Sequence, residues 1–229
     1  MCSDPWTPST LCATRTPTGP QTKIAPSPRG GRDDAGRVAG VLQKAPIGAI
    51  FTSPYRRARQ TVAPLAERLS LPINEIHDLR ERQLSAGYVE DFSAAVEATW
   101  RDKAFCHPGG ESNAAAQRRG VAIVHRLREQ QVADHVVLAT HGNLLALVLQ
   151  HFDPSIDSAF WRSLTMPDIY SLSWTPAGPP EIIRLWQEPG GSQRGFSEEH
   201  TESHIPGLTC RLSQPDRRGG TEGQCRNDF

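Results

Sequence analysis

Two short apolar runs, each closed by a polar turn and followed by a helical pattern, constrain the fold of this 229-residue chain more than any other feature. Residues 47–52 (Ile-Gly-Ala-Ile-Phe-Thr) end in Ser53-Pro54, and residues 135–140 (His-Val-Val-Leu-Ala-Thr) end in His141-Gly142. Each run is too short for a helix and rich enough in branched apolar residues for a buried strand. Helices are expected over 32–43, with Ala35, Val38, Ala39 and Leu42 on one face, and over 55–71, 111–131 and 143–152. Pro64 is expected to kink or split the second of these. Two further strands are expected at 169–174 and 181–186. Strand and helix in alternation imply an α/β fold with a mainly parallel sheet. In such sheets ligands sit beyond the carboxyl ends of the strands. Both polar turns fall there.

Proline and glycine divide the chain. There are nine in residues 1–31 and fourteen in 176–229, but only fifteen in the 144 positions between. The expected organisation is an irregular segment at 1–31, a folded domain at 32–187 and a disordered tail at 188–229. Twenty-five basic residues balance twenty-five acidic ones, which disfavours a general nucleic-acid binder. No run approaches the roughly 18 apolar residues of a membrane span. The first ten residues, MCSDPWTPST, lack the basic-then-apolar pattern of a secretory leader, so a cytoplasmic location is expected. The five cysteines form no C-x-x-C pair and no C-x5-R signature, and inert reduced thiols are expected.

Four clusters could carry chemistry. In the stretch Ser53-Pro54-Tyr55-Arg56-Arg57-Ala58-Arg59-Gln60-Thr61, Arg57 lies in the first turn of a helix. A positive charge gains nothing from the dipole there, whereas an anion held by both the helix end and the planar guanidinium fork does. A solvated basic face is the competing reading. His141 ends a hydrophobic strand before Gly142, which allows close backbone approach. Taken alone it is a structural histidine; coupled to Arg57 it becomes an anion ligand. Glu81, in Leu79-Arg80-Glu81-Arg82, is a candidate general acid, against a surface salt bridge. Pro108-Gly109-Gly110-Glu111-Ser112 reads as a capping turn.

Taken together, S-P-x-x-R-A-x-Q-T, L-R-E-R, P-G-G-E-S and a strand ending in T-H-G-N, in this order over residues 28–186, resemble the histidine phosphatase (phosphoglycerate-mutase-like) superfamily. The resemblance implies a three-layer α/β/α fold with a phosphate pocket at the strand ends. It makes Arg57 the phosphate-clamping arginine, His141 with Gly142 the second pocket element that steadies the transferring phosphoryl group, and Glu81 the acid that protonates the leaving oxygen. It implies phosphomonoester hydrolysis through a phosphohistidine, on a small phosphorylated substrate and with neither cofactor nor metal. A phosphoglycerate mutase is the alternative. That branch resembles E-R-H-Y-G-x-L-Q-G after the acid, where this chain has Glu81-Arg82-Gln83-Leu84-Ser85-Ala86-Gly87.

One departure is large. The superfamily's nucleophile sits in an R-H-G motif at the end of the first strand, yet the first histidine here is His77. The segment before Arg32 shows no convincing strand, so the first strand is expected to be missing or disrupted and its neighbours to lose ladder partners. No nucleophile is assigned, and weak or absent turnover is expected, up to a non-catalytic phosphate-binding pseudoenzyme. Codon degeneracy offers an explanation. The codons for Leu11-Cys12-Ala13-Thr14-Arg15-Thr16, shifted by one base, permit Phe-Val-Arg-His-Gly, and a compensated frameshift would account for the Pro/Thr-rich text over 11–27.

Overall fold

The structure is a computed structural model, and it describes residues 9–14, 29–174 and 178–187. All of these lie in one compact unit, Met1–Pro189; the second unit, Gly190–Phe229, and with it the tail expected at 188–229, lies outside the described residues.

The fold is α/β. The elements run β1 (Ser9–Thr14), α1 (Arg29–Leu42), β2 (Ile47–Thr52), α2 (Arg56–Leu69), β3 (Ile73–Glu75), a 3-10 turn (His77–Leu79), α3 (Phe92–Arg101), α4 (Asn113–Glu129), β4 (His135–His141), α5 (Gly142–Phe152), α6 (Ser158–Ser163), β5 (Asp168–Ser173) and β6 (Glu181–Arg184). The strands form one six-stranded sheet in the order β3-β2-β4-β1-β5-β6. The four strands from β3 to β1 are parallel, and β5 and β6 are antiparallel additions at one side.

The sheet separates two apolar layers, as a three-layer fold requires. On one face, α1 and α2 pack Val38, Ala39, Leu42, Ala58, Val62 and Leu65 against Ile50, Val137 and Ala139. On the other, α4 and α5 pack Ile123, Val124, Leu127, Leu144 and Leu147 against Val136 and Leu138. Alternate residues of β4 therefore serve opposite layers, which is the period-2 rule at work in a strand buried on both sides.

Two expectations are corrected here. The first strand is present. Ser9–Thr14 pairs in parallel with β4, from Thr10 opposite Val137 to Thr14 opposite His141, and antiparallel with β5 on its other edge. It occupies the middle of the sheet, inside the segment expected to be irregular, and α1 likewise begins at Arg29 within that segment. A strand paired on both edges is specified by its partners as much as by its own residues. The second correction concerns Pro64. It leaves α2 unbroken from Arg56 to Leu69. The proline costs about 3 kcal/mol in a helix interior. The same helix fully buries Val62 and Leu65 on the sheet, at about 1.5–3 kcal/mol each, so packing outweighs the lost hydrogen bond.

The turn that enters α4 is built on two glycines. Ser112, not Glu111, caps the helix, its Oγ accepting from the Ala115 N–H. Segment 83–86 runs alongside 108–111, with hydrogen bonds from the Ala86 N–H to the Pro108 carbonyl and from the Glu111 N–H to the Gln83 carbonyl. Gly109 has φ +66°, a left-handed conformation that suits glycine. A Cβ on Gly110 would lie 2.8 Å from the Leu84 carbonyl carbon and closer still to its oxygen. Gly110→Ala is therefore expected to cost about 1–3 kcal/mol, seen in a thermal melt as a fall in Tm of roughly 2–12 °C for a domain of this size. Gly36→Ala in α1, where nothing lies within 4 Å of the added carbon, should leave Tm unchanged or raise it.

Candidate active site

Because β2 and β4 are parallel neighbours, their carboxyl ends lie side by side. The Ser53 N–H bonds to the Ala139 carbonyl at 2.8 Å, extending the ladder one residue past β2. That contact places the Ser53 side chain and the first turn of α2 against the end of β4. His141 is the last residue of β4, not part of the turn after it, and is fully buried. Gly142 opens α5 and is also buried.

The imidazole of His141 is bonded at both nitrogens. Arg57 Nε–H donates to Nδ1 at 3.2 Å, and Nε2 lies 2.7 Å from Ser53 Oγ. A nitrogen that accepts from a guanidinium carries no proton, so the neutral ring holds its proton on Nε2 and donates it to Ser53. Ser53 Oγ also accepts from the Tyr55 N–H at 3.2 Å. It is thus an acceptor twice over and lacks a base to activate it, which removes it as a stand-in nucleophile. Burial pushes the His141 pKa well below its ordinary 6.5, and the charges of Arg57 and Arg119 push it further the same way. The imidazole is neutral at neutral pH.

Arg57 uses only Nε on this contact; its two terminal nitrogens make no hydrogen bond among the described residues. Its guanidinium lies over the ring of Tyr55, with Cζ 4.7 Å from the centroid. Burial lowers its pKa, and the nearby Glu81 charge partly offsets that.

Glu81 is half-buried. Its Oε1 accepts from the Arg82 N–H at 2.9 Å and the Leu144 N–H at 3.3 Å, and its Oε2 from the Asn143 N–H at 3.3 Å. It thereby caps the N-terminus of α5, whose own N-cap residue, His141, supplies no side-chain bond. Burial raises its pKa above the ordinary 4.5, while those backbone N–H groups and the charges of Arg82 and Arg57 oppose the rise. It makes no hydrogen bond to Arg57 or His141, but it feels the Arg57 charge across the site.

Two other side chains hold this loop. Thr140 Oγ1 donates to the Leu79 carbonyl at 2.8 Å. Arg119, on α4, grips Glu111 with Nε and Nη2 at 2.7 and 2.8 Å and donates from Nη1 to the carbonyls of Asp78 and Arg80. The P-G-G-E-S glutamate is therefore an ion-pair partner lying before the helix and not a charge in its first turn. Arg82 is 7 % exposed, and its Nε and Nη1 have no hydrogen-bond partner among the described residues.

The structure thus joins Arg57 to His141 directly, sets Gly142 next in the chain and places Glu81 one helix terminus away. Sequence reasoning passed over Ser53 and Tyr55, although both stand inside the motif that carried Arg57. It also missed Arg119, a helix residue whose partners lie 8 to 41 positions away in sequence, so no local pattern marks it. Among the described residues no three His, Cys, Asp or Glu side chains cluster as a metal site would, and no helix is long and apolar enough to cross a membrane.

A guanidinium in the first turn of α2 and a buried imidazole ending β4 meet at the carboxyl ends of adjacent parallel strands, the place where sheets of the α/β class hold ligands. The chain belongs to the histidine phosphatase superfamily (branch 1), whose family model matches residues 28–183. It is 36 % identical over 130 residues to a glucosyl-3-phosphoglycerate phosphatase of Mycolicibacterium vanbaalenii, a match covering 51 % of this chain and 58 % of that protein. The chain therefore spans under two thirds of the curated relative's length. Among solved structures, a mycobacterial glucosyl-3-phosphoglycerate phosphatase superposes with a TM-score of 0.60 at 22 % identity, over 79 % of this chain and 98 % of that one. The same type of enzyme in complex with inorganic phosphate gives 0.58 at 23 %, over 77 % and 93 %. The α-ribazole phosphatase of Shigella flexneri gives 0.60 at 17 %, over 80 % and 99 %. At these identities the superpositions establish the shared fold.

Proposed function

We propose that this chain is a phosphatase-type member of its superfamily that binds the phosphoryl group of a small phosphomonoester through Arg57 and His141, with turnover weak or absent because no histidine stands in the nucleophile's place. One observation supports the reading: the 3.2 Å contact between half-buried Arg57 and His141, in which Arg57 uses only Nε and its two terminal nitrogens have no hydrogen-bond partner among the described residues. An incoming oxyanion takes those two nitrogens, and His141 turns its Nε2 proton from Ser53 to a phosphoryl oxygen. Glu81, kept protonated to higher pH by burial, is the group suited to give a proton to a leaving oxygen. The phosphatase activity of the mycobacterial relative supports the same substrate class. The departure from the mutase pattern after Glu81 argues against the mutase reading.

Thermal melts test this. Inorganic phosphate at about 100 times its Kd should stabilise the protein by about 2.7 kcal/mol, a rise in Tm of roughly 5–10 °C for a domain of this size. Arg57→Ala should weaken binding at least tenfold and remove about half of that rise or more, since a bond to a charged group contributes about 1.5–3 kcal/mol. A wild-type melt indifferent to phosphate would overturn the reading.

A further inference from the structure

Arg57 can serve an oxyanion only if its fork is held at a fixed angle, and the hydrogen-bonded contacts do not hold it. Its one side-chain hydrogen bond among the described residues, from Nε to His141, is a pivot about which the terminal nitrogens can swing. What fixes the plane is Tyr55. The guanidinium carbon sits 4.7 Å above the Tyr55 ring centroid, and the same ring lies 5.1 Å from the His141 ring at a tilt of 58°. Tyr55 is itself anchored through its backbone N–H to Ser53 Oγ, which in turn receives His141 Nε2–H. Ser53, Tyr55, Arg57 and His141 therefore close into one ring of contacts. Within it, Ser53 and His141 are fully buried, Arg57 is half-buried, and Tyr55 is the most exposed, with 37 % of its surface reaching solvent. An aromatic face is well suited to this task. A hydrogen-bonding partner would consume the in-plane donors that the ligand needs, whereas stacking leaves all of them free.

We propose that Tyr55 is a positioning residue of the oxyanion site, holding the Arg57 fork open toward the ligand from the mouth of the pocket. The inference deepens the phosphate-binding reading and rests on it. Phosphate affinity of the full-length protein, measured by calorimetry, should fall about three- to thirtyfold in Tyr55→Leu, which keeps an apolar side chain and loses the π face. In Tyr55→Phe, which keeps the face, it should stay within about twofold of wild type. Equal affinity in Tyr55→Leu and wild type, or equal damage in Tyr55→Phe and Tyr55→Leu, overturns the proposal. The second measurement needs no ligand. The Arg57 Nε–H resonance, assigned by its loss in Arg57→Lys, should exchange with solvent faster in Tyr55→Leu than in wild type and Tyr55→Phe. Unchanged exchange in Tyr55→Leu also overturns the positioning role. Faster exchange in a protein that fails to bind phosphate overturns the phosphate reading and leaves the positioning role standing.

Discussion

Replacing Ala13-Thr14-Arg15 by the triple substitution Ala13→Arg, Thr14→His, Arg15→Gly is expected to raise hydrolysis of p-nitrophenyl phosphate by a factor on the order of 10^4 to 10^6, the scale on which removal of a nucleophile disables a catalytic unit elsewhere. The strand register supplies the reason. β1 and β4 are parallel neighbours, and Thr14 is paired with His141 at their carboxyl ends. Adjacent strands stand about 4.8 Å apart. A histidine at position 14 therefore starts from the strand end beside His141, at the mouth where the Arg57 fork would hold phosphorus. A one-base shift of the codons for Leu11 to Thr16 permits Phe-Val-Arg-His-Gly across positions 11 to 15, which would put its histidine at position 14. The strand pairing and the codon pattern are independent, and position 14 is compatible with both. Adding His141→Ala to the triple variant should return activity to background. A folded, phosphate-binding triple variant without turnover would show that position 14 is not the nucleophile's place. The nucleotide sequence across codons 10–32 tests the frameshift directly.

How much of this could be seen in the sequence depended on whether a segment carries its own signal. The faces of α1, β2 and β4 were legible because their apolar periods reflect the burial they meet; Ala35, Val38, Ala39 and Leu42 are all buried in α1. The 3-residue β3 and the 6-residue α6 are too short for a period to register. In β1 the six residues Ser-Thr-Leu-Cys-Ala-Thr carry little strand propensity, and the pairing with β4 and β5 defines the strand. The site followed the same rule. Arg57 and His141 stand in motifs at strand ends and were visible. The shape of the Glu81 contact was not, because its partners are backbone N–H groups of a helix more than 60 residues away. Sequence can suggest an acid at that position; it cannot reveal that the acid also caps α5.

Sulfate affinity is expected to tighten as pH falls below neutrality, by a factor of ten for each unit by which binding raises the His141 pKa. Sulfate suits the test because it stays a dianion in mild acid. In the free protein, burial and the charges of Arg57 and Arg119 hold the His141 pKa well below 6.5. An anion on Arg57 offsets that charge and raises the pKa; the proton enters at Nδ1, the Arg57 Nε–H turns from that nitrogen to the anion, and binding and protonation reinforce each other. The gain begins as pH falls through the raised, ligand-bound pKa and saturates at the depressed free value. Folding stability carries the matching signature. A depressed folded pKa means that the His141 contribution is whole above the unfolded 6.5 and is lost as pH falls through the folded value. Glu81 runs the other way. Its folded pKa is raised above 4.5, so its contribution is whole below 4.5 and is lost as pH rises through the folded value. The two slopes oppose each other in the free protein, and bound sulfate, by lifting the His141 pKa, should flatten the acid-side loss. His141→Gln should remove most of the pH dependence of sulfate binding, and Glu81→Gln should remove the smaller remainder. If His141→Gln kept the full slope, the proton would be going elsewhere and His141 would not be a ligand of the anion.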